Sequence, residues 1–169
     1  MRKTVFTLFV SIIFSSLIFA QTDVIFRVNH QLGDTVFELN KTAENNLGQS
    51  FNARRMEYYF SQIYIVHDGG KEILVEDIYI LANGTNSVYK DLGNFDITEI
   101  EAVKFSIGID SITNHEDPAQ YATRHPLGLK SPSMHWGWAS GYRFIAYEGY
   151  GGVDFSQNFQ LHGLGNENY

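Results

Sequence analysis

Apolar and polar positions alternate with a period of two along much of the chain, the signature of half-buried strands. Val24, Phe26, Val28 and His30 fall on one side of a first predicted strand, with Arg27 and Asn29 on the other. His30 therefore ends an inward-facing row. Leu32-Gly33-Asp34 reads as a turn, Thr35 to Leu39 as its partner strand, and Asn45 to Gln49 as a polar loop. Met56 to His67 is rich in Tyr, Phe and Ile and free of Gly and Pro, which predicts a strand. Ala53-Arg54-Arg55-Met56-Glu57 also suits a helix, so a mixed fold with one helix near residues 50 to 58 is the competing reading. His67-Asp68-Gly69-Gly70-Lys71 is a hairpin signal between two apolar runs, and Ile73 to Leu81 is the return strand, closed by Asn83-Gly84-Thr85. Glu101 to Asp110 alternates most cleanly, predicting Val103, Phe105, Ile107 and Ile109 inside and Lys104 and Ser106 outside.

From Ser111 to Pro132 no strand pattern is present, and loops of that length in a compact domain are often functional. Both tryptophans follow. In a regular strand Met134, Trp136 and Trp138 share one face, while His135, Gly137 and Ala139 share the other. The pattern predicts that both rings enter a core, where burying each is worth roughly 4–6 kcal/mol at about 25 cal/mol/Å². Ser140-Gly141 permits a bulge, after which Tyr142, Phe144 and Ala146 continue the inward row. Tyr150-Gly151-Gly152 turns the chain into a last alternating run, Val153 to Leu161. The sum is an all-β fold, an antiparallel β-sandwich of about seven or eight short strands with long loops.

Residues 1 to 20 read as a signal peptide. Arg2 and Lys3 form a positive start, Val5 to Phe19 an apolar stretch too short for a comfortable membrane span, and Ile18-Phe19-Ala20 a cleavage site before Gln21. The mature domain is then 21 to 169, exported to the periplasm or secreted, without a lipid anchor because no cysteine is present. Removing two cations from a net charge of −7 leaves −9, a sign that argues against nucleic acid or an anionic membrane as partner. The absence of cysteine excludes a disulfide framework and every thiolate ligand.

A transition-metal site in this chain must draw on its six histidines, on carboxylates or on an unusual ligand. No His-x-His or His-x3-His pair occurs. His67, beside a hairpin turn, reads as a surface residue, and His115 and His125 read as solvated loop histidines. His135 sits among small residues opposite the tryptophans. Asp110, Asn114, Glu116 and Asp117 offer hard oxygens in one loop, a weak calcium candidate that lacks EF-hand spacing. There is no nucleophile elbow and no phosphate-cradling glycine motif, so the chain is not read as an enzyme.

Five blocks, in order, resemble the MbnP-like domain family. They are Val24 to His30 with Gly33; Met56-Glu57-Tyr58-Tyr59-Phe60-Ser61-Gln62-Ile63; Val103 to Asp110 with Asn114; Met134-His135-Trp136-Gly137-Trp138-Ala139-Ser140-Gly141-Tyr142; and Leu161-His162-Gly163. The resemblance implies an exported β-sandwich related to methanotroph surface copper proteins, in which copper is held by histidines together with kynurenine made by oxidising a tryptophan. It further implies a dihaem peroxidase-like partner that performs the oxidation. Carried to this chain, His30 and His162 are the implied imidazole ligands and Trp136 or Trp138 the oxidised residue. His135 completes the metal candidates, although in a strand regular over residues 134 to 138 it points away from both rings. The family domain usually continues past the Leu-His-Gly block, so C-terminal strands are expected beyond this chain. Two other classes stay open: a glycan-binding module using exposed tryptophan, and a structural or interaction domain without metal.

Overall fold

The computed structural model describes residues 21–169, and the leader predicted over residues 1 to 20 lies outside the described residues. Thirteen strand segments occur in the order β1 (Thr22–Val28), β2 (Gln31–Leu32), β3 (Thr35–Val36), β4 (Thr42–Glu44), β5 (Ser50–His67), β6 (Lys71–Leu74), β7 (Ile80–Asn83), β8 (Val88–Phe95), β9 (Ile100–Ile107), β10 (His135–Gly137), β11 (Gly141–Tyr142), β12 (Ile145–Gly151) and β13 (Gln157–Gly163). The count exceeds the expected seven or eight because several segments are only two to four residues long. Among the described residues no helix is long and apolar enough to cross a membrane.

The antiparallel architecture is a β-sandwich organised on β5. One edge of β5 pairs with β12 and then β9, and the other with β4, β7 and β6; β13 lies outside β12. The helical reading of residues 50 to 58 fails because Phe51 to Tyr58 all pair with β12 or lie within that ladder. The expected return strand Ile73 to Leu81 is split into β6 and β7, both on β5. At Gln62, with φ of 45°, the register shifts, so the inward row passes from Tyr58 and Phe60 to Ile63 and Ile65. A β1–β8 ribbon covers this face, burying Val24, Phe26, Val88 and Leu92 against Phe60, Ile63 and Ile65.

The opposite face of β5 and β12 carries a second core of Tyr59, Tyr142, Phe144 and Ala146, roofed by Ile109, Leu127 and Met134. The long loop from Ser111 to Pro132 supplies Leu127 to this roof and is flanked by Ile109 and Met134, with 3-10 turns at Thr113–His115 and Pro118–Gln120. Tyr59 Oη donates to the Pro126 carbonyl at 3.1 Å and Tyr142 Oη to that of Leu127 at 2.6 Å. The loop's carbonyls thus satisfy the two buried tyrosine hydroxyls.

Two burial expectations are corrected. Val103 and Phe105 are exposed, Phe105 at 46%, because among the described residues β9 pairs with β5 alone and is flanked on one edge. Phe105 still meets Phe26 and Phe60 edge-on at 5.8 and 5.0 Å. His67, expected on the surface, is 6% exposed, since β5 continues through it and both β6 and β9 flank it.

Candidate functional site at the tryptophan hairpin

The tryptophan segment is a short hairpin of β10 and β11, not a regular strand. Its register shifts between His135 and Gly137, Gly137 has a φ of 126°, and the chain turns through Trp138 to Ser140. Asn114, fully buried, fixes the return: its Oδ1 accepts from the Tyr142 amide at 2.8 Å, and its Nδ2 donates to Asn166 at 2.9 Å. Gly141 lies so close that a Cβ there would meet Asn114 O and Oδ1 at 2.4 Å, and its φ of 69° also demands glycine. Met134 is 1% exposed, whereas Trp136 is 50% and Trp138 65% exposed. The expectation that both indoles are core is therefore corrected. Tyr142, Phe144 and Met134 fill the roofed core, and the turn at Gly137 sends the indoles outward.

The ring of Trp136 meets His162 edge-on at 5.0 Å, and the Arg143 guanidinium lies over it at 4.2 Å. Strand register sets the partners of His162 on the sheet. His162 is opposite Ala146, Glu148 is opposite Arg55 and Gln160, and Glu57 is opposite Ala146, so these side chains share one sheet face. His162 Nε2 donates to Glu148 Oε1 at 2.8 Å, leaving Nδ1 as the lone-pair nitrogen. Arg55 donates from Nε to Glu57 at 2.6 Å, from NH1 to Glu148 at 3.0 Å, and from NH2 to the Ser133 carbonyl at 3.1 Å. Burial pushes the Glu148 carboxyl up, but His162 and Arg55 more than offset this and hold it below the usual carboxylate range.

On the other side of the hairpin, Trp138 lies edge-on to His135 at 5.9 Å, and His135 to Tyr142 at 5.0 Å. His135 does not point away from both rings, because the segment is not regular. Its Nε2 is buried without a hydrogen-bond partner. Burial lowers its pKa, with Asp117 opposing and His115 adding to the effect, which favours the uncharged ring. His115 Nδ1 bonds the Trp138 carbonyl at 3.1 Å.

His30 lies elsewhere. Its Nε2 shares a hydrogen bond with Tyr58 Oη at 2.9 Å, and Tyr58 projects from the face of β5 opposite to Glu57. His30 and His162 are thus on opposite faces of the main sheet and do not converge. In the calcium candidate, Asp110 and Asp117 cap the backbone amides of Ile112, Thr113 and Ala119, Glu116 accepts from Tyr121 and Gln120, and Asn114 is committed to the hairpin. Among the described residues no group of three or more His, Asp or Glu is placed to hold a metal ion.

Sequence reading missed Arg55, Glu148 and Arg143, and His115, read as a solvated loop histidine, is exposed but bonds the hairpin. Arg55 and Glu57, two positions apart inside an apolar strand, were a signal for a charged pair on a covered face; the others carry no local mark.

No curated protein matches this chain. The solved structure of MbnP from Methylosinus trichosporium is similar, with a TM-score of 0.64 at 13% identity over 85% of this chain and 62% of that one. The present chain thus spans less than two thirds of that protein's length, and the likeness establishes the fold. A family model described as MbnP matches residues 21–168, nearly everything the structure describes, and on that match the chain belongs to the MbnP family.

Proposed function

We propose that this chain is an exported copper-handling domain whose metal is held at the tryptophan hairpin. The observation that carries the reading is His162, held by Glu148 and set edge-on against the half-exposed Trp136. A ligating histidine characteristically gives its other ring nitrogen to a carboxylate, which orients the ring and raises its basicity. Imidazole sites favour copper among the divalent first-row metals. An intact indole is only a donor, whereas kynurenine would offer an aromatic amine and a ketone oxygen. Exposure of both indoles gives a dihaem peroxidase-like partner access to them. His135, whose Nε2 has no hydrogen-bond partner, is the hairpin's own imidazole. His30 is not part of this reading.

The test is a chelator-competition copper titration of protein exported in its native host, with intact mass and peptide spectra of the Trp136–Trp138 peptide. His162→Ala is expected to lose tight binding, Glu148→Gln to weaken it about 10–100-fold, and His30→Ala to leave it unchanged. Equal affinity in wild type and His162→Ala refutes the assignment.

A further inference from the structure

A second pocket, of about 330 Å³, lies between the end of β1, the β2–β3 hairpin and the turn from β7 to β8, and His30 lines it together with Arg27, Asn29, Asn86, Val36 and Phe37. Hydrogen bonds within the protein fix its walls. Asn83 Oδ1 accepts from the Thr85 amide at 2.9 Å and from the Thr85 hydroxyl at 2.7 Å, and the Gly84 amide donates to the Met56 carbonyl at 2.8 Å. Ser87 Oγ donates to Asn29 Oδ1 at 2.9 Å, which ties this turn to the chain just after β1. Phe37 is buried, its amide donates to the His30 carbonyl at 3.0 Å, and a Cβ at Gly84 would meet its Cε1 at 2.7 Å.

The polar groups left over in this pocket are donors. In a chain of net charge −7, no Asp or Glu lines it, and Arg27 forms no salt bridge among the described residues. Asn29 Oδ1 is engaged by Ser87, so the Nδ2 donor is the free half of that amide. His30 Nδ1 is buried without a partner, while Nε2 and Tyr58 Oη are 2.9 Å apart. A proton on Nε2 would leave both the tyrosine hydrogen and the Nδ1 lone pair without a protein partner. With Tyr58 donating to Nε2, only the Nδ1 hydrogen lacks one, which leaves the fewest bonds unmade.

We propose that this pocket binds the carboxylate of a small organic acid. Arg27 supplies the charge and the planar fork that matches a carboxylate, His30 Nδ1 and Asn29 Nδ2 are the neutral donors, and Val36 and Phe37 take the carbon body. One guanidinium with no second Lys or Arg in the lining suits a monoanion. The volume lies at the small end of small-molecule sites, which suits a compact acid. None of these residues belongs to the tryptophan hairpin, so this site stands or falls independently of copper.

Benzoate is the probe, benzamide its uncharged counterpart and inorganic phosphate the competing anion, each titrated into isotope-labelled protein and followed by amide chemical shifts. Benzoate is expected to give saturable shifts at the amides from Arg27 to Gln31 and from Gly84 to Ser87, and neither benzamide nor phosphate to do so. Arg27 is exposed, so Arg27→Met should keep the wild-type melting temperature and copper affinity. It is expected to weaken benzoate about 10–100-fold, as for a lost hydrogen bond to a charged group. Absence of saturable benzoate shifts at these amides, equal binding of benzamide or phosphate, or wild-type benzoate affinity in Arg27→Met overturns the proposal.

Discussion

Replacing Arg55 by methionine keeps most of the side-chain volume and deletes the charge that holds the site face together. Arg55 is one-tenth exposed at its side chain, and its partners Glu57 and Glu148 are 15% and 23% exposed. All three are below the third of exposure at which solvent screening would discount the interaction. Removing one partner from such a buried network leaves the others uncompensated, which costs about 3–5 kcal/mol. Glu57 and Glu148 both lose their guanidinium here, and Glu148 is left with its bond from His162. Against a total stability of about 5–15 kcal/mol, this is a large fraction, and at about 2–4 °C per kcal/mol for a domain of this size it predicts a melting-point drop of roughly 6–20 °C.

The pH dependence gives the loss its signature. In the wild type Glu148 is held below the usual range, so its contribution is present above the ordinary carboxylate pKa and is lost as pH falls through the folded value. Without the guanidinium only His162 is left to oppose burial at Glu148, and the penalty there exists only while that carboxylate is ionised. The difference between wild type and Arg55→Met is therefore largest at neutral pH and shrinks below about pH 5. Urea melts at a series of pH values, read by tryptophan fluorescence and far-ultraviolet circular dichroism, measure both effects. Adding Glu148→Gln to Arg55→Met should restore part of the loss, because one buried charge is then removed with its partner. A neutral-pH loss under about 1 kcal/mol, or a loss that does not vary with pH, would show that the network is solvated and the reasoning wrong.

Met134→Ala should cost about 2–5 kcal/mol in urea unfolding, as for a fully buried side chain, while Trp138→Ala should cost less than about 1 kcal/mol; the opposite ranking would return the indole to the core. Burial pushes Asp110 up, but hydrogen bonds from Tyr79, Thr113 and the Ile112 amide outweigh it and hold its carboxyl below the usual range. Its stabilisation is thus present above about pH 3.9 and lost as pH falls through the lower folded value. Asp110→Asn should flatten the acid limb of the stability curve below that pH, and an unchanged slope would refute the role.

Much of the strand layout was legible along the chain. β1 faces as its alternation predicts, the Gly69-Gly70 hairpin joins β5 to β6, and Tyr142, Phe144 and Ala146 continue one buried row. These features are local: period two fixes which residues share a face, and two adjacent glycines fix a turn. The tryptophans were misread because period two was extended through residues 134 to 138, where the chain instead forms a short hairpin whose register shifts between His135 and Gly137.

The amino-acid sequence by itself determined the alternating strands, the turns between them, a ligand repertoire without thiolate, and family membership. Tertiary structure alone decided which faces are covered and which side chains meet. Arg55 finds the Ser133 carbonyl 78 positions away, Asn114 fixes Tyr142 from 28 positions away, and His162 is set against Trp136 by the register of three strands. His30 and His162 both sit in recognisable blocks, yet they lie on opposite sides of β5. Alternation specifies that a strand has two faces, and only the packing of distant segments decides what each face will touch.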